Sequence, residues 1–300
     1  MTISSGSAAQ FVPDYWRWFT GADLLARSTA VGLFDTHSLG RIIGRPVSKI
    51  EEWRHDEQLG EDFNRAMIRL GRVESYAAAL TEDLVAESRT TGVIRTYRDD
   101  DDAAAAGELV PLDEIRGAAG AAGGAPAAAL HRVCAGRAAA ENPDAALTVA
   151  GLQDTGVGAS AALRAEVLVQ MAMLGLNMKD AAGVIGVPAR ALQNWIAGTL
   201  RADGTPREVF HPERLARFDA LGQAYDEHQA VLDAHPLRAQ GYVPVARDME
   251  ALQEIDPGTV LPLAAHRAAA GEILAADHDL RAQWQGERWT AQMRAERRAE

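Results

Sequence analysis

Cysteine is almost missing: Cys134 stands alone in 300 residues. That excludes an internal disulfide and any thiolate metal cluster within one chain, and it fits a reducing compartment, so the cytoplasm is the expected location. Lysine is scarce too, with only Lys49 and Lys179 among 30 basic residues. The positive charge is arginine, and together with abundant alanine this reads as the codon bias of a GC-rich genome. Bases are also outnumbered, because 42 acidic residues bring the formal charge to -12. Wholesale coating of nucleic acid is thereby disfavoured, since non-specific affinity comes from Lys and Arg on phosphates. Any contact with DNA must be local. Long apolar runs are lacking: no segment approaches the ~18 uninterrupted apolar residues of a membrane span. The opening MTISSGSAAQFVPDYWRWF has no basic flank leading into an apolar stretch, so a soluble protein is expected, neither exported nor inserted in a membrane. His-Glu-x-x-His and Gly-x-Ser-x-Gly do not occur, which removes the usual starting points for a metallopeptidase or a serine hydrolase. Neither a catalytic residue, a metal nor a cofactor is expected.

What the chain does have is helical periodicity. With 47% hydrophobic residues it can fill two cores of roughly 150 residues each. In ALRAEVLVQMAMLGL, the residues Leu163, Val167, Met171 and Leu174 form one apolar stripe at helical spacing. After Gly175, Asn177 stands where an N-cap belongs and Asp180 follows at the third helical position. A helix is predicted from about Met178 to Ile185. Gly186-Val187-Pro188 ends it, and Pro188 suits the start of a second helix from Ala189 to Ala197, stopped at Gly198. Two short helices joined by a three-residue turn behind an amphipathic helix describe a helix-turn-helix. Ala181, Ala182, Ile185, Val187, Leu192 and Trp195 make its inner face. Arg190, Gln193 and Asn194 make the outer face, and their donors and acceptors suit bidentate pairing with guanine and adenine in the major groove.

The pattern occurs twice. IIGRPVSKIEEWR from Ile42 aligns without a gap on VIGVPARALQNWI from Val184, pairing Ile43 with Ile185, Gly44 with Gly186, Pro46 with Pro188, Ile50 with Leu192 and Trp53 with Trp195. Upstream, Leu24, Leu25, Val31 and Phe34 match the stripe ahead of the second pair. Downstream, GVIRTYRD at Gly92 resembles GYVPVARD at Gly241, and ALHRVCAGRAAA at Ala129 resembles AAHRAAAGEILA at Ala264. Ordered matches of this kind imply a tandem duplication. The expected fold is mainly α: two tandem helix-turn-helix domains, 1–150 and 151–300, each followed by a long helix and a small C-terminal module with a short extended segment. A Gly/Ala-rich linker at 117–128 lies in the first. The copies differ in charge. From 177 to 201, Lys179, Arg190 and Arg201 against Asp180 leave +2, whereas 35–60 carries -1 and puts Glu51 and Glu52 where the second copy has Gln193 and Asn194. Carboxylates facing phosphates cost affinity, so the second copy is read as the competent reader and the first as weakened or repurposed.

The stretch VPARALQNWIAGTLRADGTPREVFHPERLARFDALGQAYDEH resembles the helix-turn-helix and following long helix of the small YdiL-like proteins and of the related anti-CRISPR-associated repressors of phages. GYVPVARDMEALQEIDPGTVLPLAAHRAAAGEIL is similar to their dimerising C-terminal module. The resemblance covers about Ala161 to Leu280 and, more faintly, Leu24 to Ala140. It implies a transcriptional repressor that docks two recognition helices on successive major-groove faces, here with both halves fused in one chain. By that resemblance Arg190, Gln193 and Asn194 contact bases, and Lys179, Thr199 and Arg201 contact phosphates. Ser48, Lys49 and Arg54 are the corresponding DNA-contact candidates of the first copy, where Glu51 and Glu52 depart from the pattern. Double-stranded DNA is the expected partner, with the chain acting as an intramolecular pseudo-dimer or as a homodimer. The rival expectation is a protein-interaction module derived from the same fold, antitoxin-like or a phage adaptor, that no longer binds DNA.

Other features read as structural. Asp99 to Asp102 lacks the spacing of a calcium loop and reads as a solvated turn. His131 and His266 recur beside Arg132 and Arg267 and read as hydrogen-bonded packing residues. The clusters Tyr15, Trp16, Trp18, Phe19 and Trp284, Trp289 read as packing onto their own domain, and the arginine-rich tail as solvated.

Overall fold

The computed structural model describes residues 21–55, 60–117, 123–152, 160–240, 243–246, 248–258 and 261–277. The chain is mainly α-helical. In order, α1 (Gly21–Ala30), α2 (Thr36–Ile43), α3 (Val47–His55) and α4 (Glu61–Thr91) lead to β1 (Val93–Tyr97) and α5 (Asp100–Ala106). Then come β2 (Val110–Pro111), α6 (Leu112–Arg116), β3 (Gly124–Ala125), α7 (Ala128–Glu141) and β4 (Ala146–Ala150). The second half has α8 (Ala161–Met173), α9 (Met178–Ile185), α10 (Ala189–Ala197), α11 (Pro212–Ala234), a 3-10 turn (Pro236–Gln240) and α12 (Met249–Ile255), followed by α13 over 263–277. Among the described residues no helix is long and apolar enough to cross a membrane.

Local chemistry explains the two short helix pairs. Asp35 accepts a hydrogen bond from Ser38 N to start α2, and Asn177 accepts from Lys179 N and Asp180 N to start α9. Each first helix ends on a glycine in the left-handed region, Gly44 at φ 68° and Gly186 at φ 69°. A residue with a Cβ is strained there, which is why glycine recurs. The apolar residues facing inward then close two cores. Leu24, Ile42, Ile50, Trp53, Phe63 and Leu70 belong to one; Val167, Met171, Ile185, Leu192, Trp195 and Phe218 belong to the other.

The halves interlock. Gly136 of α7 lies against Val169 and Met173 of α8, and Gly271 of α13 lies against Ala26 and Ala30 of α1, in both cases without room for a Cβ. Each closing helix therefore packs on the opening helix of the other half. Matching turns fix the correspondence: Leu33 N donates to Ser28 O, and Leu176 N to Met171 O. In that register Ala26 and Ala30 correspond to Val169 and Met173. Where α7 and α13 meet, Arg137 Nη2 is 3.4 Å from Glu272 Oε1, a pair at equivalent positions of the two matching segments.

Three expectations are corrected in detail. Asp99 caps α5 by accepting from Asp102 N, and Asp100, Asp101 and Asp102 fill the first turn, so the acidic run opens a helix where a solvated turn was expected. Acid there is favoured by the helix dipole. Part of the Gly/Ala-rich linker is ordered: β3 pairs antiparallel with β2, and α7 begins at Ala128; residues 118–122 lie outside the described set. The first extended segment is a strand, β1, which pairs parallel with β4 from Val93–Ala146 to Tyr97–Ala150. Residues 243–246 form none. The aromatic clusters at 15–19 and 284–289 and the arginine-rich tail lie outside the described residues.

Several buried polar groups are joined across elements. His131 Nδ1 lies 3.1 Å from Thr96 Oγ1, and Arg132 donates to Tyr97 O and Arg98 O. In the second half, Ala246 N donates to His266 Nε2 at 2.7 Å, His266 Nδ1 meets His228 Nε2 at 2.8 Å, and His228 Nδ1 meets Asp256 Oδ2 at 3.1 Å. The first bond assigns every tautomer: Nε2 of His266 must accept, so its Nδ1 donates to His228, whose Nδ1 in turn donates to Asp256. Arg27, fully buried, donates from Nε to Glu74 Oε1 at 2.8 Å and from Nη2 to the other oxygen, tying α1 to α4.

Candidate nucleic-acid interface

Helix α10 is held by three contacts beneath it. Leu192 is fully buried, and Trp195, 4% exposed, stacks on Phe210 with ring centroids 5.3 Å apart. Removing an indole packed in this way costs about 3–5 kcal/mol. The third contact is Arg164 of α8, buried, whose Nη1 donates to Ile196 O at 3.0 Å. It supplies a cation at the carbonyl end of the helix, where the dipole favours one.

On the opposite side, Arg190 and Gln193 are exposed and Asn194 is half-buried. Steps of three and four residues place Gln193 and Asn194 about 60° and 40° to either side of Arg190, a sector of about 100°. Asn194 lends its carbonyl to Gly198 N and Thr199 N, closing the helix. Lys179, in the first turn of α9, is exposed. Among the described residues neither Lys179 nor Arg190 enters an ion pair.

Directly after α10 the chain forms a small hairpin. Leu200 bridges Pro206 antiparallel, Arg201 N donates to Thr205 O at 2.8 Å, and Arg207 N donates to Thr199 O at 2.8 Å. Its tip is closed by Asp203, which accepts from Thr205 N at 2.9 Å and from Thr205 Oγ1 at 2.6 Å. These two bonds hold the Asp203 carboxyl below the usual carboxylate range. Thr199 and Arg201 thus stand on one arm and Arg207 on the other, with Arg201 Nη2 reaching Arg207 O at 3.3 Å. Only five residues separate α3 from α4, against fourteen between α10 and α11, so the first half lacks the length for this hairpin.

The first helix pair presents a different surface. Ser48 is exposed. Lys49 Nζ lies 2.6 Å from Glu52 Oε1 and 5.9 Å above the Trp53 ring, and Arg54 Nη1 is 3.0 Å from both oxygens of Glu51. That contact from one guanidinium nitrogen holds the Glu51 carboxyl below its ordinary range. Two of the three candidates here are occupied by neighbouring carboxylates. Trp53 meets Phe63 edge-on at 5.4 Å.

No protein-family model, curated protein or solved structure matches this chain. The reading of the site therefore rests on its own geometry. Arg190, Gln193, Asn194, Thr199 and Arg201 lie within one helix and the hairpin that leaves it, with Lys179 on the adjoining helix; Ser48, Lys49 and Arg54 belong to the other half. Sequence reasoning missed Arg207, although Asp-Gly at 203–204 is a turn signal. It also missed Arg164, for which an arginine inside an apolar stripe was the available sign.

Proposed function

We propose that this protein is a sequence-specific DNA-binding regulator, of repressor type, built from two tandem helix-turn-helix units of which the second reads DNA. The supporting observation is the outer face of α10: an exposed Arg and Gln with an adjacent Asn, on a helix anchored from below by a buried Trp. Those side chains match the major-groove edges of guanine and adenine. The hairpin arginines Arg201 and Arg207 flank that face and suit phosphates, which position a reader without carrying sequence information. A formal charge of -12 is compatible with this role because 177–201 is locally basic. In the first unit Glu51 and Glu52 neutralise Arg54 and Lys49 from within, so one reader per chain is the natural stoichiometry. Both units fused in one chain make an intramolecular pseudo-dimer with one competent face.

Selection from random duplexes tests the reading. The full chain is expected to enrich a defined motif rich in the guanine and adenine contacts that Arg and Gln or Asn prefer. Recovery of unenriched sequence at every salt concentration would overturn it.

A further inference from the structure

The buried histidine pair of the second half has no place for another ring proton. From the Ala246 amide through His266 and His228 to Asp256, the three junctions measure 2.7, 2.8 and 3.1 Å. The amide can only donate, which leaves both rings neutral with their protons on Nδ1. The second oxygen of Asp256 accepts from Gly258 N at 3.2 Å. An added proton on His266 Nε2 faces the Ala246 N–H. On His228 Nε2 it faces the His266 Nδ1–H, and sliding that proton to Nε2 relieves this clash only by creating the first. Every protonated arrangement of the closed pair therefore sets two N–H groups against each other in a buried space, which loses a hydrogen bond and desolvates a charge.

The same chain of bonds holds α12 at both ends. Ala246 lies just before the helix and Asp256 is its C-cap residue, while the rings come from α11 and α13. Little else buries α12: of its seven residues only Leu252 is buried, with Ala251 and Ile255 half-buried. The other charges around the pair are Arg267 beside His266, Asp248 acting on Arg267, and Arg54 and His55 of α3 across a cavity of 440 Å³ that Ala246 and Asp248 help to wall. Burial first, then His228 and Arg267, keep the proton off His266. The first half is built differently. In the matching segments Thr96 stands where the second half has Val245, and its hydroxyl, 3.1 Å from His131 Nδ1, can accept from a protonated ring or donate to a neutral one.

We propose that the His228–His266 pair is an acid-released latch on α12: a proton taken up by the pair frees residues 246–256 as a local unit and uncovers the cavity between the halves, while the rest of the second core stays folded. The sign follows from linkage. The closed pair resists the proton and the open rings accept it near their ordinary value of about 6.5, so opening becomes easier as pH falls below that value, by about tenfold per pH unit for each proton taken up. Segments held by few buried contacts open below the global unfolding free energy. The latch stands independently of whether α10 reads DNA.

Hydrogen exchange of the full chain, read by NMR at several pH values and corrected for the intrinsic exchange rate, tests this. Protection of the Ala246, Leu252 and Asp256 amides is expected to fall about tenfold or more per pH unit between about pH 6 and 4.5, through an opening that dilute urea does not change. The Leu192 amide is expected to exchange through a separate, urea-sensitive opening. His228→Gln/His266→Gln, in which each amide still offers one acceptor and one donor, should keep protection of 246–256 constant over that range. Leu252→Ala, which loosens α12 and leaves the rings alone, should lower protection equally at every pH and preserve the slope. The proposal is overturned if wild-type protection of 246–256 is constant with pH, if it is lost only in step with Leu192 and with the same urea dependence, or if the slope persists in the folded double variant.

Discussion

His131 and His266 govern how the protein meets acid. Burial holds His131 at about 4; burial first, then electrostatic coupling to His228 and Arg267, holds His266 at about 3. The unfolded values lie near 6.5. A histidine whose native pKa is depressed takes up its proton more readily in the unfolded chain, so its stability contribution is complete above the unfolded value and is lost as pH falls below it. Each contributes a slope of about 1.4 kcal/mol per pH unit in that window, so the pair removes about 5 kcal/mol between about pH 6.5 and 4.5. Urea unfolding followed by circular dichroism at a series of pH values should show this decline. Replacing both histidines with glutamine should flatten it by that amount, and an unchanged acid limb would show that they titrate normally in the native state. The packing role of these histidines was legible in the sequence from their recurrence beside arginine. Their partners were not: Thr96 is 35 residues from His131 and His228 is 38 from His266, and no local pattern encodes separations of that size.

Helix bounds were the most legible feature. The spans Met178–Ile185 and Ala189–Ala197 coincide with the sequence reading, because Asn177, Gly186, Pro188 and Gly198 act through the backbone within one turn of themselves. Pro212 likewise opens α11. The hairpin after α10 escaped notice because its ladder is too short to alternate, and Thr199, Leu200 and Arg201 read equally well as loop. That element carries its own prediction. If its arginines lie on phosphates, Arg201→Ala and Arg207→Ala should each reduce the slope of log K against log salt by about one, while weakening all DNA sequences alike. Lys49→Ala should leave the slope unchanged, since Lys49 already faces Glu52. Equal slopes for all three variants in fluorescence-anisotropy titrations would remove the hairpin from the interface.

At the scale of the molecule, the order of elements could be read from matching segments, whereas the packing of each closing helix against the opening helix of the other half could not. The apolar residues of α7 say that it is buried but not against which helix; that choice is made by Gly136 and Gly271, whose missing side chains admit α8 and α1. Gly136→Leu and Gly271→Leu should each destabilise by about 1–3 kcal/mol through overpacking, seen as a lower denaturation midpoint. Gly183→Ala, in α9 with nothing nearby for a Cβ to meet, should be neutral or stabilising by up to about 1 kcal/mol. Equal behaviour of the three would mean that the halves do not pack in this way in solution. The central claim concerns α10 alone, and one comparison addresses it: the dissociation constants of wild type and Arg190→Ala/Gln193→Ala on a selected duplex at fixed salt, with melting curves of both. Two base contacts of about 1–3 kcal/mol each predict at least about thirtyfold weaker binding with the melting temperature unchanged. An unaltered dissociation constant in the folded double variant would contradict the account.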